Sequence, residues 1–258
     1  MDITEIDKLY NDDFLLVADI PPESFDAVIT DPPYYILKDQ EWDQQWETRE
    51  DYLRWIRIVI LRCYQLLKDN RTMFMFCSQY FQAEIDLLIR YETDFKILNR
   101  CVWYYPNNMA MYSKKGFKLC HEPFFFLLKG EIDTFNRSES FYDLNPSFFM
   151  DVKTYAMCKS TSVGFNKRVH PSQKPIELME ELVRVSTYEG EVVLEPFAGS
   201  GTTLVAAARN NRHYIGFERN PEYIPMIQER LAGSTGENSS PLYRGEVVKR
   251  QEQPGLFQ

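Results

Sequence analysis

The chain has 258 residues, of which 44% are hydrophobic and 26% charged, with a formal net charge of −9. This is the balance of a folded globular protein, and no apolar run is long enough to span a membrane. The acidic opening, MDITEIDKLYNDD, lacks an export signal, and the five cysteines (63, 77, 101, 120 and 158) show no CxxC spacing, which predicts a cytoplasmic protein with reduced thiols and no metal site.

Charge is unevenly spread. Residues 1–95 carry 9 basic and 20 acidic side chains, 96–174 carry 12 and 6, and 175–258 carry 8 and 12. A basic middle between acidic flanks suits a face that meets phosphates, and chance clustering on a solvated surface suits it equally well.

In chain order, strand-like runs alternate with helical stripes, which predicts an α/β fold. Strands are expected near residues 6–11 and 27–30. Thr48 and Asp51 read as a capping box opening a helix over 49–68, with an apolar stripe at Tyr52, Trp55, Ile56, Val59, Ile60 and Cys63. Next come a strand at 72–78, a helix at 81–90, and strands at 95–105 and 123–128. Residues 130–168 show no sustained period and read as an insertion. A helix at 175–187, a strand at 191–195, a helix at 202–210, a strand at 214–218 and a helix at 221–231 follow. From Gly233, GSTGENSSP predicts a flexible tail.

Two stretches carry chemistry. EPFAGSGTT (195–203) joins a strand to a helix. Gly199 and Gly201 allow close backbone approach to a ligand, and Glu218, ending the next strand, is placed to take a pair of ribose hydroxyls. The dinucleotide fingerprint needs Gly or Ala at 204, where Leu204 stands. A cofactor with ribose but no pyrophosphate, such as S-adenosylmethionine, asks less of this loop, and its cationic end tolerates the nearby acids. TDPPYY (30–35) ends the second strand on an acid. Pro32 and Pro33 fix the backbone, so that the Asp31 carboxylate and the following carbonyl point in set directions and can accept both hydrogens of one amine. Tyr34 offers a ring for stacking. A plain Pro-Pro turn capped by Asp is the bland alternative.

With DPPY at 31–34, HPSQKP at 170–175, EPFAGSGT at 195–202 and IGFERNPEY at 215–223, the chain resembles the amino-methyltransferases of DNA, in the group whose catalytic motif precedes the cofactor motif. NDDF at 11–14 and His121-Glu122 fit as well. The resemblance implies a permuted, Rossmann-like, mostly parallel seven-stranded sheet with helices on both faces, and S-adenosyl-L-methionine as cofactor. It implies transfer to N6 of a flipped-out adenine in double-stranded DNA, with N4 of cytosine as the alternative. DPPY leans toward adenine, since the cytosine members more often carry Ser in place of Asp31. By position, Asp31, Pro32, Pro33 and Tyr34 are catalytic, and Asp31 also borders the cofactor. Phe197, Gly199, Ser200, Gly201 and Thr202 form the cofactor loop, Glu218 holds the ribose, Asp13 lies near the cofactor adenine, and Lys174 and Pro175 flank its methionine end. Glu195 replaces the commoner Asp, and Asp69-Asn70 stands where a glycine turn is usual. A catalytically inactive nucleic-acid-binding relative, a nucleotide-dependent oxidoreductase, and an enzyme acting on a protein or RNA amine remain as other classes. Methylation at carbon 5 of cytosine needs a cysteine, usually after proline, and none of the five follows one.

The resemblance also divides the chain into a catalytic domain over 1–232, with a target-recognition insertion at about 130–168, and a tail over 233–258. Within the insertion, Phe135, Arg137, Phe141, Tyr142, Asn145, Phe148, Phe149, Lys153, Tyr155, Lys159, Lys167 and Arg168 are candidate DNA contacts, with a packed subdomain carrying a few exposed charges as the alternative for most of them, and the small size of the segment predicts a short recognition sequence. Trp42, in DQEWDQQWE (39–47), reads as a flap over the base pocket or as a plain surface loop. The closing QEQPGLFQ resembles the peptide by which bacterial proteins dock on the replication sliding clamp, through Gln253, Leu256 and Phe257. A restriction endonuclease is a further possible partner, and the oligomeric state, a dimer included, stays open.

Overall fold

The computed structural model describes residues 5–35, 43–108, 116–131, 135 and 150–234. In chain order these form β1 (Lys8–Tyr10), β2 (Phe25–Thr30), α1 (Arg49–Leu66), β3 (Leu67–Phe76), α2 (Gln82–Glu92), β4 (Lys96–Tyr104), β5 (His121–Lys129), β6 (Val152–Thr154), α3 (Ile176–Ser186), β7 (Val192–Glu195), α4 (Thr202–Arg209), β8 (His213–Phe217) and α5 (Ile224–Ser234). The seven expected strands are present. An eighth, β6, comes from within the insertion, where three residues are too few for a period to show. Among the described residues no helix is long and apolar enough to cross a membrane.

The strands form one sheet in the order β1-β8-β7-β2-β3-β5-β4-β6. Only β5 runs against the others. β2 is buried along its whole length, as expected of a central parallel strand covered on both faces. Successive residues point to opposite faces. Val28, Met73 and Met75 pack with Tyr52, Ile56, Val59 and Ile60 of α1. Ile29, Phe74 and Phe76 pack with Leu178, Met179, Leu182 and Val183 of α3. Two cores thus clamp the sheet.

The local signals explain the element ends. Thr48 accepts the Asp51 N–H while the Asp51 carboxylate accepts the Thr48 N–H, completing the capping box that starts α1. α1 runs directly into β3, which begins five residues before the expected strand. Asn70 takes a left-handed conformation (φ 59°) within this stretch, a role Asn fills more readily than most residues, so the usual glycine is not required.

The order of the strands sets the site. From β7 the chain moves outward to β8, whereas from β2 it moves the other way to β3. Between β7 and β2 the order reverses, and the carboxyl ends of these strands open a crevice there.

Candidate active site

That crevice is a cleft of about 620 Å³. Asp13, Asp31, Pro32, Pro33, Tyr34, Lys174, Phe197, Gly199, Ser200, Thr202 and Glu218 all line it. Pro175 and Gly201 were also expected at the site but do not line the cleft. Pro175 is buried as the N-cap of α3. Gly201 works from behind. It holds φ 71° at the start of α4, and a Cβ built on it would lie 2.5 Å from Ile227 Cγ2 on α5. Only a residue without a side chain lets the loop sit this close to that helix.

At one end of the cleft the cofactor loop is held through its backbone. Gly199 N–H donates to Glu218 Oε2 at 2.8 Å, and Asn220 N–H donates to Glu218 Oε1 at 2.7 Å. Burial raises the Glu218 carboxyl above its ordinary range. The Asn11 side chain donates to the carbonyls of Glu218 and Arg219, tying the stretch before Asp13 to the end of β8. Asp13 itself caps a turn, accepting Leu15 N–H at 2.9 Å. Glu195 accepts Phe197 N–H at 3.1 Å and the Thr203 hydroxyl at 2.7 Å, and burial pushes its carboxyl up to about 8, so it is protonated at neutral pH. Phe197 packs against Trp55 and Phe14, which give this end an apolar wall. His170 lies behind Gly199 and edge-on to Tyr223. Burial pulls it down to about 4. The neutral ring is consistent with Nδ1 accepting Ser172 N–H at 3.3 Å.

At the other end the contacts run between side chains. Lys174 Nζ donates to Asp31 Oδ2 at 2.5 Å and lies 3.1 Å from Glu122 Oε2. The Tyr34 hydroxyl donates to Asp31 Oδ1 at 2.5 Å and to Glu122 Oε2 at 3.3 Å. Burial works against the charge on Lys174, but the Asp31 and Glu122 carboxylates outweigh it and hold the ammonium above the ordinary lysine range. Burial, then the same two acids, raises the Tyr34 phenol.

The rigidity expected of DPPYY has a partner that sequence reasoning missed. After two prolines without N–H groups, Tyr34 and Tyr35 both donate their N–H to Asp43 Oδ1, at 2.6 and 2.8 Å. Tyr35 is held at φ 57°, a conformation unfavourable for a tyrosine, and the two bonds offset that strain. The Tyr52 hydroxyl donates to the Pro33 carbonyl. Nothing in the sequence separates Asp43 from its neighbour Asp39. The His170 and Glu122 motifs were visible, but their roles were not, and Trp55 was read only as part of a helix stripe.

Two readings of the insertion region and the flap change. Trp42 lies outside the described residues, but the second half of its segment is anchored rather than free. Asp43 is fully buried, and Trp46 packs on Tyr52 and Trp55. Lys153 is buried in an ion pair with Glu181, whose other oxygen accepts the Tyr155 hydroxyl at 2.6 Å, so neither side chain is free to read DNA. Arg137, Phe141, Tyr142, Asn145, Phe148 and Phe149 lie outside the described residues.

The donor set fits S-adenosylmethionine. Glu218 at the end of β8 can take ribose hydroxyls, Asp13 and Phe197 line the same cleft, and the Gly199–Ser200 backbone faces it, held in place by the close approach of Gly201 to Ile227. Carboxyl groups line the cleft from Asp12 to Glu222, an environment that favours a cation and would repel a pyrophosphate.

Comparison with known proteins agrees. Residues 25–229 match the family model for N6/N4 DNA methylases. The chain is 31% identical to the type II methyltransferase M2.LlaDCHI of Lactococcus lactis subsp. cremoris over 245 residues, covering 86% of this chain and 88% of that one. It superposes on TTHA0409 of Thermus thermophilus, a putative DNA modification methylase solved in complex with S-adenosyl-L-methionine, with a TM-score of 0.65 and 26% identity over 88% of this chain and 95% of that one. PvuII DNA methyltransferase, cytosine-N4-specific, shares the fold with a TM-score of 0.72 at 20% identity, covering 88% and 86%. A permuted sheet whose switch point holds an acid-proline hook and a glycine cradle is thus accounted for: the chain belongs to the N6/N4 DNA methylase family and is a DNA methyltransferase dependent on S-adenosyl-L-methionine.

Proposed function

We propose that this methyltransferase modifies the N6 amine of adenine in double-stranded DNA. The observation that carries the reading is Asp31, an acid and not a serine, placed at the end of β2 in the same cleft as the Gly199 loop and Glu218. The exocyclic amine of a base is a poor nucleophile because its lone pair is delocalised. The Asp31 carboxylate and the Pro32 carbonyl accept its two hydrogens, favouring a tetrahedral nitrogen with its lone pair exposed. The bound cofactor supplies an electrophilic methyl group on a sulfonium. Acceleration comes from orientation and fixed charge, so Asp31 need not act as a strong base. Such an amine is unreachable inside a duplex, so the base is flipped out, and the Tyr34 ring is the surface on which it stacks.

The remaining expectations complete the reading. The insertion around 130–168 of the catalytic domain reads a short DNA sequence. The last residues, through Gln253, Leu256 and Phe257, dock on a sliding clamp, which deletion of 253–258 would abolish in a binding assay with purified clamp. An endonuclease partner would place the enzyme in a cytoplasmic restriction-modification system. The deciding experiment is nucleoside mass spectrometry of DNA treated with the protein and labelled cofactor. N6-methyldeoxyadenosine is expected; N4-methyldeoxycytidine, or no transfer, overturns the reading.

A further inference from the structure

Asp31, the group expected to grip the incoming amine, is already engaged. Its Oδ2 accepts Lys174 Nζ and its Oδ1 accepts the Tyr34 hydroxyl, each at 2.5 Å. Each oxygen keeps a free lone pair, but an amine that joins them must share the carboxylate's charge with a lysine ammonium and a phenol. The Lys174 side chain is only 4% exposed, and a buried ammonium stripped of its partner is strongly disfavoured. The rings of Phe76 and Trp103 lie within 6 Å of the ammonium and confine where it can go. Glu122 resolves the problem. It enters from the start of β5, and its Oε2 lies 3.1 Å from Lys174 Nζ and 3.3 Å from the Tyr34 oxygen. Both occupants of Asp31 therefore already touch a second acceptor.

We propose that Glu122 is a positioning residue onto which Lys174 and Tyr34 are handed when a nucleobase amine takes Asp31. The inference rests on the amine-methylating reading above. Two carboxylates and one ammonium leave one negative charge in the pocket whichever carboxylate the lysine favours. The exchange therefore frees Asp31 lone pairs for the amine without changing the pocket charge or stranding the lysine. With a neutral residue at 122, the lysine has Asp31 as its sole carboxylate among these three groups and competes with the amine for it.

The test starts with the wild-type enzyme, whose methylated DNA is sequenced to map the target site and base. Short duplexes are then made with that base or with its analogue lacking the exocyclic amine, and their affinities are measured with S-adenosylhomocysteine present. In Glu122→Gln the ratio of affinities, amine over analogue, is expected to fall about tenfold, a shift of about 1.4 kcal/mol. The analogue duplex should bind as in the wild type, which also reports that the variant is folded. Glu122→Asp should recover part of the ratio. In a Lys174→Met background, Glu122→Gln should produce a much smaller loss, because no ammonium is left to relocate and the glutamine carbonyl can still accept the Tyr34 hydroxyl. An unchanged ratio in Glu122→Gln, or an equal loss with and without Lys174, overturns the inference. A wild-type enzyme that methylates no base amine overturns the reading beneath it, and this is seen before any variant is made.

Discussion

At the Asp31 end of the cleft, Lys174 and Tyr34 meet the acid through their side chains, and Glu122 meets both of them in turn. At the Glu218 end, backbone N–H groups of Gly199 and Asn220 bind the carboxylate, and the shape depends on φ values at Gly199 and Gly201. The first end is a charge arrangement that can be exchanged group for group. The second is a backbone shape that tolerates little change. Under the exchange proposed above, the first side releases and recaptures partners while the second only cradles a ligand.

Substitutions can break the contrast. Asp31→Ala should lower turnover by about 10³-fold, in the range seen when an oriented electrostatic group is removed. Cofactor affinity, measured by titration, should stay close to the wild type; near-normal turnover would remove Asp31 from its role. Gly201→Ala should act oppositely, on stability and cofactor affinity together. Its φ of 71° and the 2.5 Å approach to Ile227 predict a loss of about 1–3 kcal/mol in denaturant titration, and a variant as stable as the wild type would mean the loop is not the rigid half.

Glu195 sharpens the comparison through pH. Its folded pKa of about 8 lies above the ordinary carboxyl value of 4.5. Across that window the folded chain holds a proton that the unfolded chain has released, so this group's contribution makes stability fall as pH rises from about 4.5 to about 8. Glu195→Gln should flatten that slope, and an unchanged slope would show that the carboxyl ionises normally. The smallest effect is expected from Tyr34→Phe. It keeps the ring and loses the hydroxyl's contacts with Asp31 and Glu122, a bond to a charged acceptor being worth about 1.5 kcal/mol or more, so turnover should change by about tenfold. A collapse in turnover comparable to that of Asp31→Ala would make the hydroxyl, and not the ring, the functional part.

Sequence reading went furthest where a property is local. The capping box at Thr48, the buried run of β2 and the glycine loop each depend on residues within one or two turns, and each appeared where expected. It could not choose where a long polar side chain had two possible fates. Lys153 and Tyr155 looked like DNA contacts, yet Glu181 of α3 holds both, because β6 adds to the sheet edge and turns them inward. Pro175 was assigned to the cleft because it follows Lys174 in the motif, but as the cap of α3 it lies in the protein interior.

The amino-acid order alone determined the alternation of strands and helices, the two ligand-facing turns and the type of chemistry. Periodicity, proline stiffness and glycine freedom all act over a few residues. Only the folded chain decided that Asp43 would hold the hook from nine residues away, that Glu195 would be neutral, and that Asp31 and Glu122 would converge on Lys174. Those outcomes depend on burial and on charges brought together from distant parts of the sequence, and electrostatic energy depends on distance in space rather than along the chain.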